Sequence, residues 1–250
     1  GHAAIVGGGL SSTGAARISA KNALRVGAGA VTVVSPPSAL MIYAAALEAV
    51  MVTSLADKDA FEAFLTDKRI GAVLIGPGNG VRTRTLEFAL QALTSGAHVV
   101  LDADALTVFK DDPQVLFAAI QSRTDRHVVL TPHEAEFARI FETVGTALTR
   151  CRAAAQLSGA TVILKGATTV VADPAGCATL NVNGPPWLAT AGSGDALAGL
   201  VTALLLSGSD PLKAASAAVW MHGEAANQFG PGLIAEDIEG EIPEVIRKFY

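Results

Sequence analysis

Short runs of β-branched and other apolar residues alternate along this chain with longer Ala- and Leu-rich segments of helical spacing, and that rhythm constrains the fold more than any other feature. Runs at Ala3–Val6, Val31–Ser35, Ala72–Ile75, His98–Asp102, His127–Leu130 and Thr161–Lys165 predict strands. They are apolar almost throughout, as strands covered on both faces must be. Segments at Thr13–Val26, Ser38–Glu48, Lys58–Phe64, Arg82–Ser95, Pro113–Gln121, Glu134–Phe141, Thr146–Leu157, Gly194–Ser207 and Pro211–Phe229 predict helices. Strands crossing over through helices build a parallel sheet with helices on both faces. After Lys165 the texture changes: Thr168–Ala172 and Ala178–Val182 flank the turn residues Asp173-Pro174-Ala175-Gly176, which predicts an antiparallel hairpin at the sheet edge. The expected class is α/β, with a central mostly parallel sheet and that edge hairpin. No repeat, low-complexity tract or Pro/Ser-rich linker divides residues 1–250, so a single domain is expected.

Composition narrows the function classes. Of 250 residues, 50% are hydrophobic and only 16% charged, which excludes disorder, since soluble domains carry roughly 25% charged residues. The formal net charge of −5 leaves no basic footprint for a nucleic-acid backbone, so no nucleic-acid partner is expected. The uncharged stretch Val26 to Leu47 is broken by Gly27, Gly29, Ser35, Pro36, Pro37 and Ser38, and reads as strand, turn and helix instead of a membrane span. No secretory signal precedes the first apolar run, and Cys151 and Cys177 have neither metal-ligand spacing nor a disulfide framework. A cytoplasmic, reducing home and no membrane partner are therefore expected.

The sharpest local feature is Ala189-Thr190-Ala191-Gly192-Ser193-Gly194-Asp195, which opens an apolar helix. Small residues let the backbone approach a ligand, and the first helical turn aims free N–H donors outward with the positive end of the helix dipole behind them. Asp195 stands at the end of that anion cradle, where a carboxylate can take a proton from a hydroxyl while the amides hold the phosphoryl group under attack. A tight turn with a helix-start carboxylate would read the same. Lys165-Gly166-Ala167-Thr168-Thr169 ends a buried strand, where ligands of open α/β folds lie, or else forms a solvated turn. Gly7-Gly8-Gly9, with Ser11, Ser12, Thr13, Gly14 and Ala15, suits a phosphate or diphosphate but is neither a Walker A motif nor a clean G-x-G-x-x-G. Gly76-Pro77-Gly78-Asn79-Gly80 and Asp102-Ala103-Asp104 end two further strands, and helix capping is the alternative for both aspartates. In Thr131-Pro132-His133-Glu134-Ala135-Glu136, His133 and Glu136 lie three apart at a helix start, facing a substrate and a magnesium-bound water, or else satisfied by local backbone. His2, His98, His127 and His222 have no partner pattern that makes a site. If every strand is parallel, all five strand ends share one rim.

Taken together these segments resemble the ribokinase-like superfamily and, within it, the ADP-dependent NAD(P)H-hydrate dehydratase family. The resemblance rests on Gly7–Ala15, Arg25–Val33, Gly76–Gly80, Asp102–Leu106, Thr131–Glu136, Lys165–Thr169, Ala189–Gly199, Ala235–Asp237 and Ile242-Pro243. It implies a ribokinase-like lyase of metabolite repair: hydrated NADH or NADPH loses water at the expense of ADP, releasing AMP and phosphate. By the same resemblance Asp195 is the catalytic base. Lys165, Gly166, Ala167, Thr168 and Thr169, with Gly192, Ser193 and Gly194, hold the nucleotide, and Ala15, Gly78, His133 and Asp195 contact the hydrated dinucleotide. His133 stands in the Asn place of the superfamily's Asn-x-x-Glu magnesium motif, so no protein metal ligand is expected and Mg²⁺ travels with the nucleotide. The resemblance also implies an epimerase domain or partner acting upstream. Departures are Glu134-Ala135 in place of Pro-Gly, and Pro185-Pro186-Trp187-Leu188 in place of Asn-Pro-Gly-Met after Gly184. The apolar helices Gly194–Ser207 and Pro211–Phe229 suggest a homo-oligomer. The alternatives are a ribokinase-like kinase of the hydroxyethylthiazole or pyrimidine type, and a nucleotide-binding sensor without turnover.

Overall fold

The computed structural model describes residues 1–123 and 127–250; the start of the expected strand at His127 therefore borders residues outside the description. Among the described residues one sheet of nine strands runs in the order β3-β2-β1-β4-β5-β6-β7-β8-β9. These are β1 His2–Val6, β2 Ala30–Ser35, β3 Met51–Ser54, β4 Ile70–Ile75, β5 His98–Leu101, β6 Val128–Leu130, β7 Thr161–Leu164, β8 Thr169–Ala172 and β9 Ala178–Asn181. All neighbours from β3 to β7 pair parallel, and β7–β8 and β8–β9 pair antiparallel, as the hairpin turn chemistry predicts.

Side chains along each strand alternate between two cores. Ala3, Ile5, Val33, Leu74, Val100, Val129 and Ile163 face one, and Ala4, Val6, Val34, Ile75, Leu101, Leu130 and Leu164 face the other. The first core is covered by α1 Gly14–Arg25, α2 Leu40–Ala46, α9 Ser193–Leu205, α10 Pro211–Phe229 and α11 Ala235–Arg247. Helices α3 Lys58–Leu65, α4 Thr83–Thr94, α5 Asp104–Thr107, α6 Pro113–Gln121, α7 Glu134–Ile140 and α8 Ala147–Ser158 cover the second. Burial on both faces is why the strands carry so few polar residues.

Three elements depart from expectation. Met51–Ser54 forms the edge strand β3, half-exposed and without the apolar density that marks the others. Asp104–Thr107 is a single helical turn. Ala235–Arg247 is a full helix although Gly240 and Pro243 interrupt its sequence; Ala235, Ile238, Ile242 and Val245 form its buried stripe and hold it against the core. Within the segment Ser38–Glu48 the α-helix begins only at Leu40, after a 3₁₀ turn at Pro37–Ala39.

Helices α1 and α9 approach closely because Gly199 has no side chain: a Cβ there would stand 2.2 Å from the Ser19 carbonyl oxygen. The apolarity of α9 is accounted for by this packing, since Ala196 to Ala203 are buried within the chain. No helix among the described residues is long and apolar enough to cross a membrane.

Candidate active site

The five motif-bearing strands β1, β4, β5, β6 and β7 are consecutive neighbours and all parallel, so their C-terminal loops stand side by side. Chain order reverses between β1 and β4, and a crevice opens outside the strand ends at such a switch point. Asn79 fastens the two loops there: its side-chain N–H donates to the Val6 carbonyl at 2.8 Å and its oxygen accepts from the Gly76 amide at 2.8 Å. Ala15 and Gly78 meet in this crevice, the Ala15 Cβ lying 3.4 Å from where a Gly78 side chain would begin. Ser19 Oγ lies 3.0 Å from the Ala15 carbonyl and 2.8 Å from the Asp195 carbonyl, so one hydroxyl joins the crevice to the start of α9.

That start is capped by no side chain. Gly192 takes a left-handed conformation (φ 89°), and among the described residues the Gly194 and Asp195 amides have no backbone acceptor. They are free donors at the positive end of a helix of 13 residues. Ser193 Oγ donates to the Leu188 carbonyl at 2.7 Å, which fixes the incoming loop. Among the described residues no group donates a hydrogen bond to the Asp195 carboxylate and no cation pairs with it. Burial pushes its pKa up to about 7; Asp102 adds to the rise, Lys165 opposes it, and Asp104 and Glu136 add further repulsion. A carboxylate poised near neutrality and unpaired is suited to general-base work.

Lys165 continues the line of β7 by bridging to His133, its amide donating to the Pro132 carbonyl at 2.9 Å. Its ammonium pairs with Asp102 Oδ1 at 2.8 Å, and the Thr131 hydroxyl donates to that same oxygen at 2.7 Å. Burial works against the Lys165 charge, but Asp102, Glu136 and Asp195 outweigh it and hold the ammonium above its usual pKa. Neither Asp102 nor Asp104 caps α5, so the capping alternative is corrected: Asp104 instead accepts from the Gly80 amide at 2.7 Å. Ala103 between them is the one non-glycine residue at positive φ (48°) among the described residues, and its turn sends the two carboxylates to different partners. Gly76 makes room for this turn, since a Cβ there would lie 1.7 Å from the Asp102 carbonyl oxygen.

His133 is the N-cap of α7. Its Nδ1 accepts from the Ala135 and Glu136 amides at 3.1 and 3.3 Å, while Glu136 Oε2 accepts from the His133 amide at 2.9 Å. Glu136 Oε1 lies 3.3 Å from His133 Nε2. Glu136 is thus engaged by the capping box and Asp102 by Lys165, while the Asp195 carboxylate stays unpaired. Among the described residues no group of three or more His, Cys, Asp or Glu is placed to hold a metal ion. The donor set does not fit a resident metal.

Beside the α9 start lies a cleft of about 690 Å³. Of the residues expected at the nucleotide, Lys165, Gly166, Ala167, Thr169, Ser193 and Gly194 line it, and so does His133. Thr168 is exposed on the loop between them; Gly192 and Asp195 stand at the helix start beside the cleft. The far wall includes Pro185, Pro186 and Leu188, in the loop where the sequence departs from the family pattern, together with Asn181, Val219 and His222, which the sequence did not mark. His222 is buried, its Nε2 without a hydrogen-bond partner among the described residues, and burial pushes its pKa down to about 4. It is a neutral wall residue, read from sequence as belonging to no site. Only the packing of α10 against the α9 start brings it there.

Comparison with known proteins agrees with this geometry. The family model for NAD(P)H-hydrate dehydratase matches residues 3–243. The chain is 34% identical over 257 residues to an ADP-dependent (S)-NAD(P)H-hydrate dehydratase from Neisseria meningitidis serogroup B, covering 99% of this chain and 84% of that protein. It is 34% identical over 268 residues to a bifunctional NAD(P)H-hydrate repair enzyme from Moorella thermoacetica, covering 99% of this chain and 49% of that one. The chain spans half or less of the length of most of the curated relatives it matches. A solved ADP/ATP-dependent NAD(P)H-hydrate dehydratase from Bacillus subtilis, crystallised with ATP/Mg²⁺ and soaked with CoA, superposes with a TM-score of 0.84 at 25% identity, over 100% of this chain and 92% of that one. At lower identity the ribokinase-like fold is shared more widely. The chain belongs to the NAD(P)H-hydrate dehydratase family.

Proposed function

We propose that this protein dehydrates hydrated NADH or NADPH with ADP as phosphoryl donor, releasing NAD(P)H, AMP and phosphate. The observation that carries the reading is the unpaired Asp195 carboxylate in the first turn of α9, beside the free amides of that helix start, on a residue whose carbonyl Ser19 ties to Ala15 of the crevice. Asp195 takes the proton of the ring hydroxyl as that oxygen attacks the β-phosphorus of ADP; the bond from the β-phosphorus to the AMP oxygen breaks, and AMP leaves. The ring phosphate ester then expels phosphate, pushed by the ring nitrogen's electron pair, and the neighbouring ring carbon loses a proton to water, so that the dihydropyridine double bond re-forms. The Gly194 and Asp195 amides and the Lys165 ammonium face the charge that builds on the transferred group. Lys165, Gly166, Ala167, Thr168 and Thr169 bind the nucleotide with Gly192, Ser193 and Gly194, while Ala15, Gly78 and His133 contact the hydrated dinucleotide. Mg²⁺ enters on the nucleotide's phosphates: Asp102 is already engaged by Lys165 and Glu136 by the α7 capping box, and the proposed base Asp195 stays free for the ring hydroxyl.

In this reading the protein is cytoplasmic and homo-oligomeric, and an epimerase acts upstream of it. Exposed Met41 and Ile42 on α2 and Met51 on the β3 edge support self-association, which light scattering tests. The activity test mixes the protein with acid-hydrated NADH and Mg²⁺, with ADP in one sample and ATP in another. Growth of the near-ultraviolet dihydronicotinamide band in the ADP sample is expected. No growth with either nucleotide, together with a stable phosphorylated alcohol from another substrate, would replace the reading by a small-molecule kinase.

A further inference from the structure

Three acids attract Lys165: Asp102, Glu136 and Asp195. The Lys165 ammonium lies 3.2 Å from where a Gly194 side chain would begin, directly over the first turn of α9 that also carries Asp195. Yet it pairs with Asp102, and no pair within 4.0 Å joins it to Asp195. Asp102 is fixed for this: only 1% exposed, with the same oxygen held by Thr131, on a strained turn at Ala103 that Gly76 accommodates. Strain of that kind persists only where the surroundings over-determine it, and it clusters at functional sites.

We propose that Asp102 is a positioning residue: by holding the Lys165 ammonium over Gly194 it keeps that cation off Asp195, leaving the Asp195 carboxylate unpaired and Lys165 facing the nucleotide side. This deepens the functional reading above and rests on Asp195 being the base. The charged groups acting on Asp195 are Asp102 and Asp104 after β5, Lys165 after β7 and Glu136 on α7. Helix α1 presents the neutral Ser19, α10 the neutral His222 beside Ser193, and α11 presents Ala235 to Gly192 with Asp237 turned to the Ile234 amide. Glu136 attracts the lysine too but is held by His133 in the α7 capping box, so Asp102 is the acid that competes with Asp195 for it. Its removal would let a freed ammonium swing to Asp195 and would also withdraw a repelling charge.

The test is a direct titration of the Asp195 carboxyl by carbon NMR on ¹³C-labelled protein, which needs no turnover. Asp102→Asn is expected to lower the Asp195 midpoint by about one pH unit or more, the usual scale for a carboxylate gaining a close cation. Lys165→Met is expected to raise the midpoint, and to raise it further in the Asp102→Asn background than in the wild-type protein. An unchanged midpoint in Asp102→Asn, or an equal rise in both backgrounds, overturns the proposal. If Asp102→Asn does not fold, Thr131→Val removes the hydroxyl that fixes Asp102 without removing its charge, and a smaller shift of the same sign is expected; no shift there overturns it. The pH profile of kcat/KM for the dehydration is then read on the same variants, with the acidic limb moving down in step. A midpoint that moves in a protein without dehydratase activity would leave the positioning role standing and remove the functional reading.

Discussion

At the scale of the residue, the site turns on a carboxylate that nothing neutralises. Asp195 is pressed into low-dielectric surroundings; that burial and, among the described residues, three other acids raise its pKa to about 7, while only Lys165 opposes the rise. A base in that state is ionised above that pH and protonated below it. The kcat/KM profile for dehydration is therefore expected to show an acidic limb near pH 7, measurable in buffers of constant ionic strength; a flat profile down to pH 5 would remove Asp195 as the base. Asp195→Asn is expected to keep nucleotide binding, read by calorimetry, while turnover falls ~10²-fold or more. The roles proposed for Asp195 and Lys165 come from the family resemblance; the residues themselves were legible as candidates, because glycines and hydroxyls flank a charged residue at a helix or strand end. The part of Asp102 was not legible, since an aspartate before a helical turn reads as a cap. Only the Lys165 contact, 63 residues away in sequence, shows otherwise.

At the scale of the element, the contact of α1 with α9 sets where Asp195 stands. Ser19 joins the two helices through the Ala15 and Asp195 carbonyls, and Gly199 lets them approach. Gly199→Ala places a methyl 2.2 Å from the Ser19 carbonyl oxygen, a backbone group that cannot swing aside. A loss of ~1–3 kcal/mol in urea unfolding is expected from overpacking of this kind. Turnover is expected to fall further than the population of unfolded protein accounts for, because the Asp195 backbone moves with α9. Equal stability in the variant would show that the helices separate freely. The long helices were legible from their apolar spacing, but α11 was hidden by Gly240 and Pro243. Its amphipathic stripe is stabilised by the α1 and α10 surfaces it covers, which local propensity does not register.

At the scale of the whole molecule, the half-buried Asp195 and the buried His222 make stability depend on pH in opposite directions. The folded state holds a proton on Asp195 up to about pH 7, whereas the free carboxyl loses it near 3.8, so folding binds protons in that window and stability falls as pH rises through it. His222 resists protonation until about pH 4 against an ordinary 6.5, so the unfolded state binds the extra proton and stability falls as pH drops. The slopes oppose each other between about pH 4 and 6.5. Asp195→Asn removes one of them. Scanning calorimetry is expected to find the variant melting above the wild type at pH 8, and losing stability more steeply than wild type between pH 6.5 and 4. A variant that melts lower at pH 8 would mean that the carboxylate is stabilised by folding after all.

What the sequence determined by itself was the alternation of buried strands and crossover helices, the edge hairpin, and the residue types at each strand end. Periodicity and turn chemistry are local, so a reader of the chain has them in hand. Parallel pairing follows from crossover connections, and with it the placing of Gly7–Gly9, Gly76–Gly80, Asp102–Asp104, Thr131–Glu136 and Lys165–Thr169 on one rim. Three-dimensional packing alone decided which of those ends touch: Lys165 to Asp102 and not to Asp195, Asp104 to Gly80, His222 into the cleft wall beside Ser193. The physical reason is that such contacts depend on side-chain directions and helix offsets of an ångström or two, and no local pattern encodes those. They are set when the two cores close on the sheet from either side.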